Sequence, residues 1–159
     1  MLRMSLIAAA ALGLATGAAA DEFTAVQNID KVVTVSGADG TVSLDYQSAE
    51  RVAPGDTLFY HIDYENGAAE PAENVKLVMV VPAEVNYLEN TADSGNLAAD
   101  LEFSADNGNT FSQRSDVQVL KGGETQFAAA GDITHIRWTF NDAVAPGTQG
   151  TVSFRATVR

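Results

Sequence analysis

"LFYHIDY", residues Leu58–Tyr64, decides the fold. Leu58, Tyr60, Ile62 and Tyr64 occupy alternate positions, and Phe59, His61 and Asp63 fill the gaps between them. A strand turns successive side chains to opposite faces, so this spacing gives one packed face and one wet face, as in antiparallel sheets. The pattern recurs along the chain. "NVKLVMVVP" (74–82) groups Val75, Leu77, Met79 and Val81 and stops at Pro82, which has no amide for a ladder. "THIRWTF" (134–140) buries Ile136, Trp138 and Phe140 and exposes His135, Arg137 and Thr139. "TVSFRATVR" (151–159) buries Val152, Phe154, Ala156 and Val158. "VVTVSG" (32–37) and "TVSLDY" (41–46) supply shorter strands near the start. Gly, Asn, Asp and Pro clusters separate these runs as turns. No segment after residue 20 carries a convincing helical stripe; "GNLAADLEF" (95–103) comes nearest, and Gly95 and Asn96 weaken it. "NTADSGNLAAD" (90–100) reads as a mobile loop. The expectation is an all-β, antiparallel β-sandwich with Tyr60, Ile62, Trp138, Phe140 and Phe154 in its core.

The first 20 residues read as a segment to be removed. Arg3 gives a short basic region, Leu6–Leu14 an apolar run too short to span a bilayer comfortably, and Ala18-Ala19-Ala20 the small side chains a signal peptidase requires. We therefore expect a signal peptide over 1–20, a mature start at Asp21, and an exported chain: periplasmic, cell-surface or secreted. Removal leaves 159 − 20 = 139 residues, enough for a sizeable core, and moves the formal net charge from −12 to −13 with the loss of Arg3. That acidity argues against nucleic acid and anionic membrane surfaces as partners, since both need clustered Lys and Arg. The chain has no cysteine, which excludes thiolate metal sites and thiol nucleophiles.

Residues 52–89, "VAPGDTLFYHIDYENGAAEPAENVKLVMVVPAEVNYLE", carry a family resemblance. Pro54-Gly55-Asp56 makes a turn, a strand follows, Asn66-Gly67 ends it, and an acidic Pro-containing loop leads to a strand closing in Val81-Pro82. "VAPGTQGTVSFRATV" (144–158) gives a second Ala-Pro-Gly turn before a terminal strand. Over about 51–159 this resembles the conserved repeat domain of bacterial surface proteins, also called the domain of unknown function eleven. The resemblance implies an immunoglobulin-like sandwich. It departs at Val80-Val81-Pro82, where the family commonly carries an Asp, so no role of that Asp transfers. Residues 21–50 precede the resemblance; they supply a first strand of the same sandwich, or a segment able to pair with the edge of a neighbouring subunit.

"SADNGNTF" (104–111) resembles the Asp-box of sialidases. Each residue also suits a turn: Asn107-Gly108 accommodates positive φ, Asp106 accepts backbone amides, Ser104 and Thr110 tie the flanks, and Phe111 is expected on the apolar face with Phe103. A propeller needs several such turns, and this chain has one. Glycosidase chemistry needs two close carboxyls, one in apolar surroundings, and the acids here lie in loops and on wet faces. His61 or His135 could formally serve a Ser-His-Asp triad, but no Gly-x-Ser-x-Gly elbow occurs. The two could share a zinc only if their strands adjoin. The acidic loop with Glu65, Glu70 and Glu73, together with Asp106, offers weak calcium ligands without EF-hand spacing. Arg137 and Arg155 are expected outward on neighbouring strands, paired with carboxylates. The functional expectation is a non-enzymatic structural or adhesive module of the bacterial envelope or extracellular space, needing no cofactor and open to protein partners or self-association through an edge strand. The alternative is a glycan- or calcium-binding module, and a pair of wet-face aromatics beside a cleft would favour the glycan.

Overall fold

The computed structural model describes residues 23–159; the expected signal peptide over 1–20 and mature start at Asp21 lie outside the described residues. Ten strands form: β1 (Phe23–Ser36), β2 (Val42–Ser48), β3 (Thr57–Asn66), β4 (Lys76–Val80), β5 (Val85–Tyr87), β6 (Ala99–Ser104), β7 (Gln118–Lys121), β8 (Glu124–Phe127), β9 (His135–Phe140) and β10 (Gln149–Val158). Short 3-10 turns at Arg114–Asp116 and Ala130–Asp132 are the only helical pieces among the described residues. None is long and apolar enough to cross a membrane.

The protein is all-β. A five-stranded sheet runs β2-β1-β3-β10-β5 and a three-stranded sheet runs β4-β9-β6, with every pairing antiparallel. The β7–β8 hairpin stands apart from both. The two sheets pack face to face over one apolar cluster. The alternation in "LFYHIDY" decides which face β3 turns inward: Leu58, Tyr60, Ile62 and Tyr64 are buried, and Phe59, His61 and Asp63 are not. β9 and β10 answer it with Ile136, Trp138 and Phe140, and with Val152, Phe154, Ala156 and Val158, all buried. Rings join within and across the sheets. Tyr60 stacks on Phe154 at 4.8 Å, while Tyr64 meets Phe140 at 5.1 Å and Tyr87 meets Phe103 at 5.6 Å. Burial pushes the Tyr60 hydroxyl up to about 12, with the charge of Glu84 adding to it.

Three expectations change. "VVTVSG" is not a short strand; it is the distal part of the 14-residue β1, which pairs with β3 over Phe23–Val32 and with β2 over Asp30–Ser36. β1 lies between β2 and β3, but the two ladders overlap only at Asp30–Val32: Phe23–Ile29 pairs with β3 alone and Val33–Ser36 with β2 alone, so residues 23–35 form a strand of the chain's own sheet with one side open along much of its length, and β2 is an edge of that sheet. Residues 90–98 form a pinned loop. The backbones of Asp93 and Ser153 exchange two hydrogen bonds, and Trp138 Nε1 donates to the Asp93 carbonyl at 3.0 Å. Gly95 sits at φ 67° against the Thr151 carbonyl, where any Cβ would collide. Lastly, Phe111 is not on the inner face: the Arg137 guanidinium lies over its ring at 4.1 Å, and Arg137 points out of the three-stranded sheet.

Candidate functional site

The outer face of the five-stranded sheet gathers side chains that the sequence scatters. Ladder register sets the arrangement. Phe59 on β3 stands opposite Asp30 of β1 on one side and Arg155 of β10 on the other, and Tyr46 of β2 stands opposite Val32 of β1. Residues directly opposite share a face, so Tyr46, Phe59, His61, Ser153 and Arg155 all look outward. Tyr46 leans across β1 to reach Phe59, with ring centroids 4.9 Å apart and planes tilted by 55°. His61 stacks on the other side of Phe59 at 4.9 Å. Arg155 donates from Nη2 to the Tyr46 hydroxyl at 3.1 Å.

A backbone irregularity walls this surface. Leu88 and Asp93 both pair with β10, at Arg155 and Ser153, so Leu88–Asp93 covers a shorter length of partner strand and its middle must leave the ladder. Asn90 takes a left-handed φ of 61°, and the Thr91 hydroxyl fastens the excursion by donating to the Leu88 carbonyl and accepting from the Arg155 amide. The result is an open cleft of about 390 Å³ lined by Tyr46, Phe59, Asn90, Thr91, Asp93, Ser153 and Arg155. Phe59 and the spacing of "TVSLDY" were visible in the sequence, but only the pairing of β2 with β1 brings Tyr46 to Phe59, and no local pattern marks the Asn90–Thr91 excursion.

The other candidates separate. His61 lies on β3 and His135 on β9, in different sheets, so they do not adjoin. Arg137 and Arg155 likewise belong to different sheets and form no joint basic patch, a correction to the expected neighbouring strands. Arg137 Nε donates to Glu102 at 2.8 Å, a cross-strand pair that holds Glu102 below the usual carboxylate range. Arg155 has no carboxylate partner among the described residues. His61, Asp63 and Ser153 do converge: His61 Nε2 is 3.4 Å from Asp63, and Ser153 is opposite His61. No hydrogen bond joins Ser153 to His61, and Asp63 is engaged instead by Asn28 and the Thr151 hydroxyl. The amides of the Ser153 backbone serve the ladder, so none points to a developing oxyanion.

The Ser104–Phe111 turn closes on itself. Asp106 accepts the Thr110 amide at 2.9 Å, the Ser104 hydroxyl at 2.7 Å and the Thr110 hydroxyl at 2.7 Å. The Gly108 amide donates back to the Ser104 hydroxyl at 2.9 Å, and Asn107 and Gly108 both have positive φ, 60° and 81°. The Thr110 amide first, then the Ser104 and Thr110 hydroxyls, lower Asp106 to about 2. Its oxygens are thus occupied within the turn. Glu65, next to last in β3, is exposed on the outer face and Glu70 and Glu73 lie exposed in the following loop; among the described residues no three His, Asp or Glu side chains gather as metal ligands. Comparison of the chain with protein-family models, curated proteins and solved structures gives no match.

Proposed function

We propose that this chain is an exported, non-enzymatic, immunoglobulin-like module with a structural or adhesive role in a bacterial envelope, joined to a second copy through the edge of β2. The fold half of this reading has support in the strand layout. Four strands, β1-β3-β10-β5, face three, β4-β9-β6. A constant-type immunoglobulin sandwich sets A-B-E-D over C-F-G. The positions agree if β10 stands where E stands, yet the chain reaches them in another order: after β5 it passes through β6 and β9 before β10. The resemblance of residues 51–159 to the conserved repeat domain points the same way.

The observation that carries the functional half is β2 itself. All seven of its residues are exposed, and it pairs on one side only, leaving its outward amides and carbonyls without a strand. Val42, Leu44 and Tyr46 share one of its faces. An antiparallel two-fold contact centred on Leu44 sets Val42 opposite the partner's Tyr46, Leu44 opposite the partner's Leu44, and Ser43 opposite the partner's Asp45. Centring it on Asp45 would oppose two like charges, so the first register is favoured. Such a contact uses the same patch on both copies and closes as a dimer, not a filament. Net repulsion between acidic copies weakens it at low salt and is screened as ionic strength rises. The test is mass in solution by size-exclusion chromatography with light scattering. The mature protein is expected to dimerise with rising concentration and salt, and Leu44→Lys to return it to monomer. A wild type that stays monomeric at the highest attainable concentration and high salt overturns the reading.

A further inference from the structure

We propose that the outer-face cleft between Phe59 and the Asn90–Thr91 excursion binds a carboxylate-bearing sugar, with the aromatic pair as its platform and Arg155 as the group that recognises the acid. The reading does not rest on the β2 contact, which extends the sheet edgewise, although Tyr46 takes part in both.

Three features converge. The first is the platform. Tyr46 is 43 % exposed and Phe59 half-buried, and their 55° tilt makes a shallow apolar angle instead of a flat stack. The C–H face of a pyranose is apolar and fits such a surface, while its hydroxyls stay at the rim. Small-molecule sites commonly combine aromatic lining with a few placed polar groups. The second is Arg155. In a chain with 21 acidic residues it keeps no carboxylate among the described residues, whereas Arg114 holds Glu89 and Arg137 holds Glu102. One of its donors is fixed on the Tyr46 hydroxyl, which orients the guanidinium at the cleft; the others are free for a planar, two-pronged contact with a carboxylate. The third is the wall. Thr91 is held by its hydroxyl to Arg155, and Leu88 and Asp93 pair with β10 on either side of Asn90–Thr91, so the wall is set before any ligand arrives. Asp93 also lines the cleft, but one of its oxygens already takes the Gly95 amide at 2.6 Å. It remains an acceptor for a sugar hydroxyl and disfavours ligands that are anionic throughout, which separates a single-carboxylate sugar from a phosphate-rich polymer. The overall negative charge of the protein acts in the same direction.

The experiment is titration of the full mature protein with methyl galacturonide, a sugar with one carboxylate, and with its methyl ester, followed by amide chemical shifts and calorimetry. Wild type is expected to bind the acid about tenfold more tightly than the ester, the size of one charge-assisted contact. Arg155→Gln should erase that preference, so that acid and ester bind equally. Phe59→Leu, which keeps apolar volume but removes the ring, should weaken both ligands. Arg137→Gln, on the other sheet, should change neither. Thermal melts of each variant confirm that it folds. Shifts must map to Tyr46, Phe59 and Asn90–Thr91. Absence of binding by wild type overturns the proposal. So does an acid-to-ester ratio that survives Arg155→Gln, an equal loss in Arg137→Gln, or shifts confined to another surface.

Discussion

Asn66-Gly67 and Asn107-Gly108 are the same dipeptide in two settings, and they do different work. Asn107 is exposed, and both members of its pair adopt left-handed φ, so the backbone reverses within the turn. Asn66 is fully buried at the end of β3, and neither it nor Gly67 is left-handed. Its side chain acts as a latch. Nδ2 donates to the Val144 carbonyl at 2.7 Å and the Glu70 carbonyl at 3.0 Å, and Oδ1 accepts the Ala68 amide at 3.1 Å. Those bonds join the β3–β4 loop to the loop before β10, 78 residues away in sequence. Asn107-Gly108 owes its role to glycine's missing Cβ, Asn66-Gly67 to asparagine's amide.

If so, the two sites should fail differently. The largest effect is expected at Asn66→Ala, which leaves the buried Ala68 amide and the Glu70 carbonyl without that partner and the Val144 carbonyl with the Ala72 amide alone; an orphaned buried group costs about 1–3 kcal/mol, so with the lost bond to Val144 a loss of about 2–4 kcal/mol in urea unfolding is expected. A loss below about 0.5 kcal/mol would mean that water replaces the latch and that burial of Asn66 is incidental. Next comes Gly108→Val, where a β-branched residue is forced to φ 81° beside the His135 ring; the expected cost is about 1–3 kcal/mol. Gly67→Val, outside the left-handed region, should cost about 0.5 kcal/mol or less. Equal losses at the two glycines would erase the distinction.

The smallest effect is pH-dependent. Asp106 has a lower pKa in the folded turn, about 2, than the ordinary 3.8 of a free aspartate. Protonation is therefore resisted by the fold. Its stabilisation is complete above the unfolded pKa and is lost as pH falls through the folded one, between roughly 4 and 2. Melting temperatures across that window should fall less in Asp106→Asn than in wild type. Asp56, Glu102 and Asp132 are also lowered, but they are common to both proteins and cancel in the difference. Because Asp106 is solvent-exposed, the difference is small and shrinks with salt. Parallel curves would show that the turn's bonds to Asp106 contribute nothing to stability.

Much of the fold was legible one strand at a time. Side-chain alternation is a property of each segment alone, so the inward residues of β3, β4, β9 and β10 could be read from period two, and Trp138 was placed in the core by its phase with Ile136 and Phe140. Turn chemistry was legible where a backbone conformation demands a residue type, as at Asn107-Gly108. What the strands do to one another was not. Arg137 and Arg155 looked like neighbours because both stand on outward positions of late strands, and the sheets part them. Phe111 looked apolar-facing, and Arg137 draws it outward.

The amino-acid sequence by itself determined that this protein is all-β, which side chains of its main strands turn inward, and where an Asn-Gly turn reverses the chain. These follow from the two-residue repeat of a strand and from the φ that glycine and asparagine tolerate, both local. Only the tertiary structure decided that β1 runs between β2 and β3 and pairs with each over a different part of its length, that Asn66 latches two loops, and that Tyr46, Phe59 and Arg155 share one cleft. Those outcomes depend on strand order and ladder register, which are set by contacts between residues tens of positions apart, and no short stretch contains them.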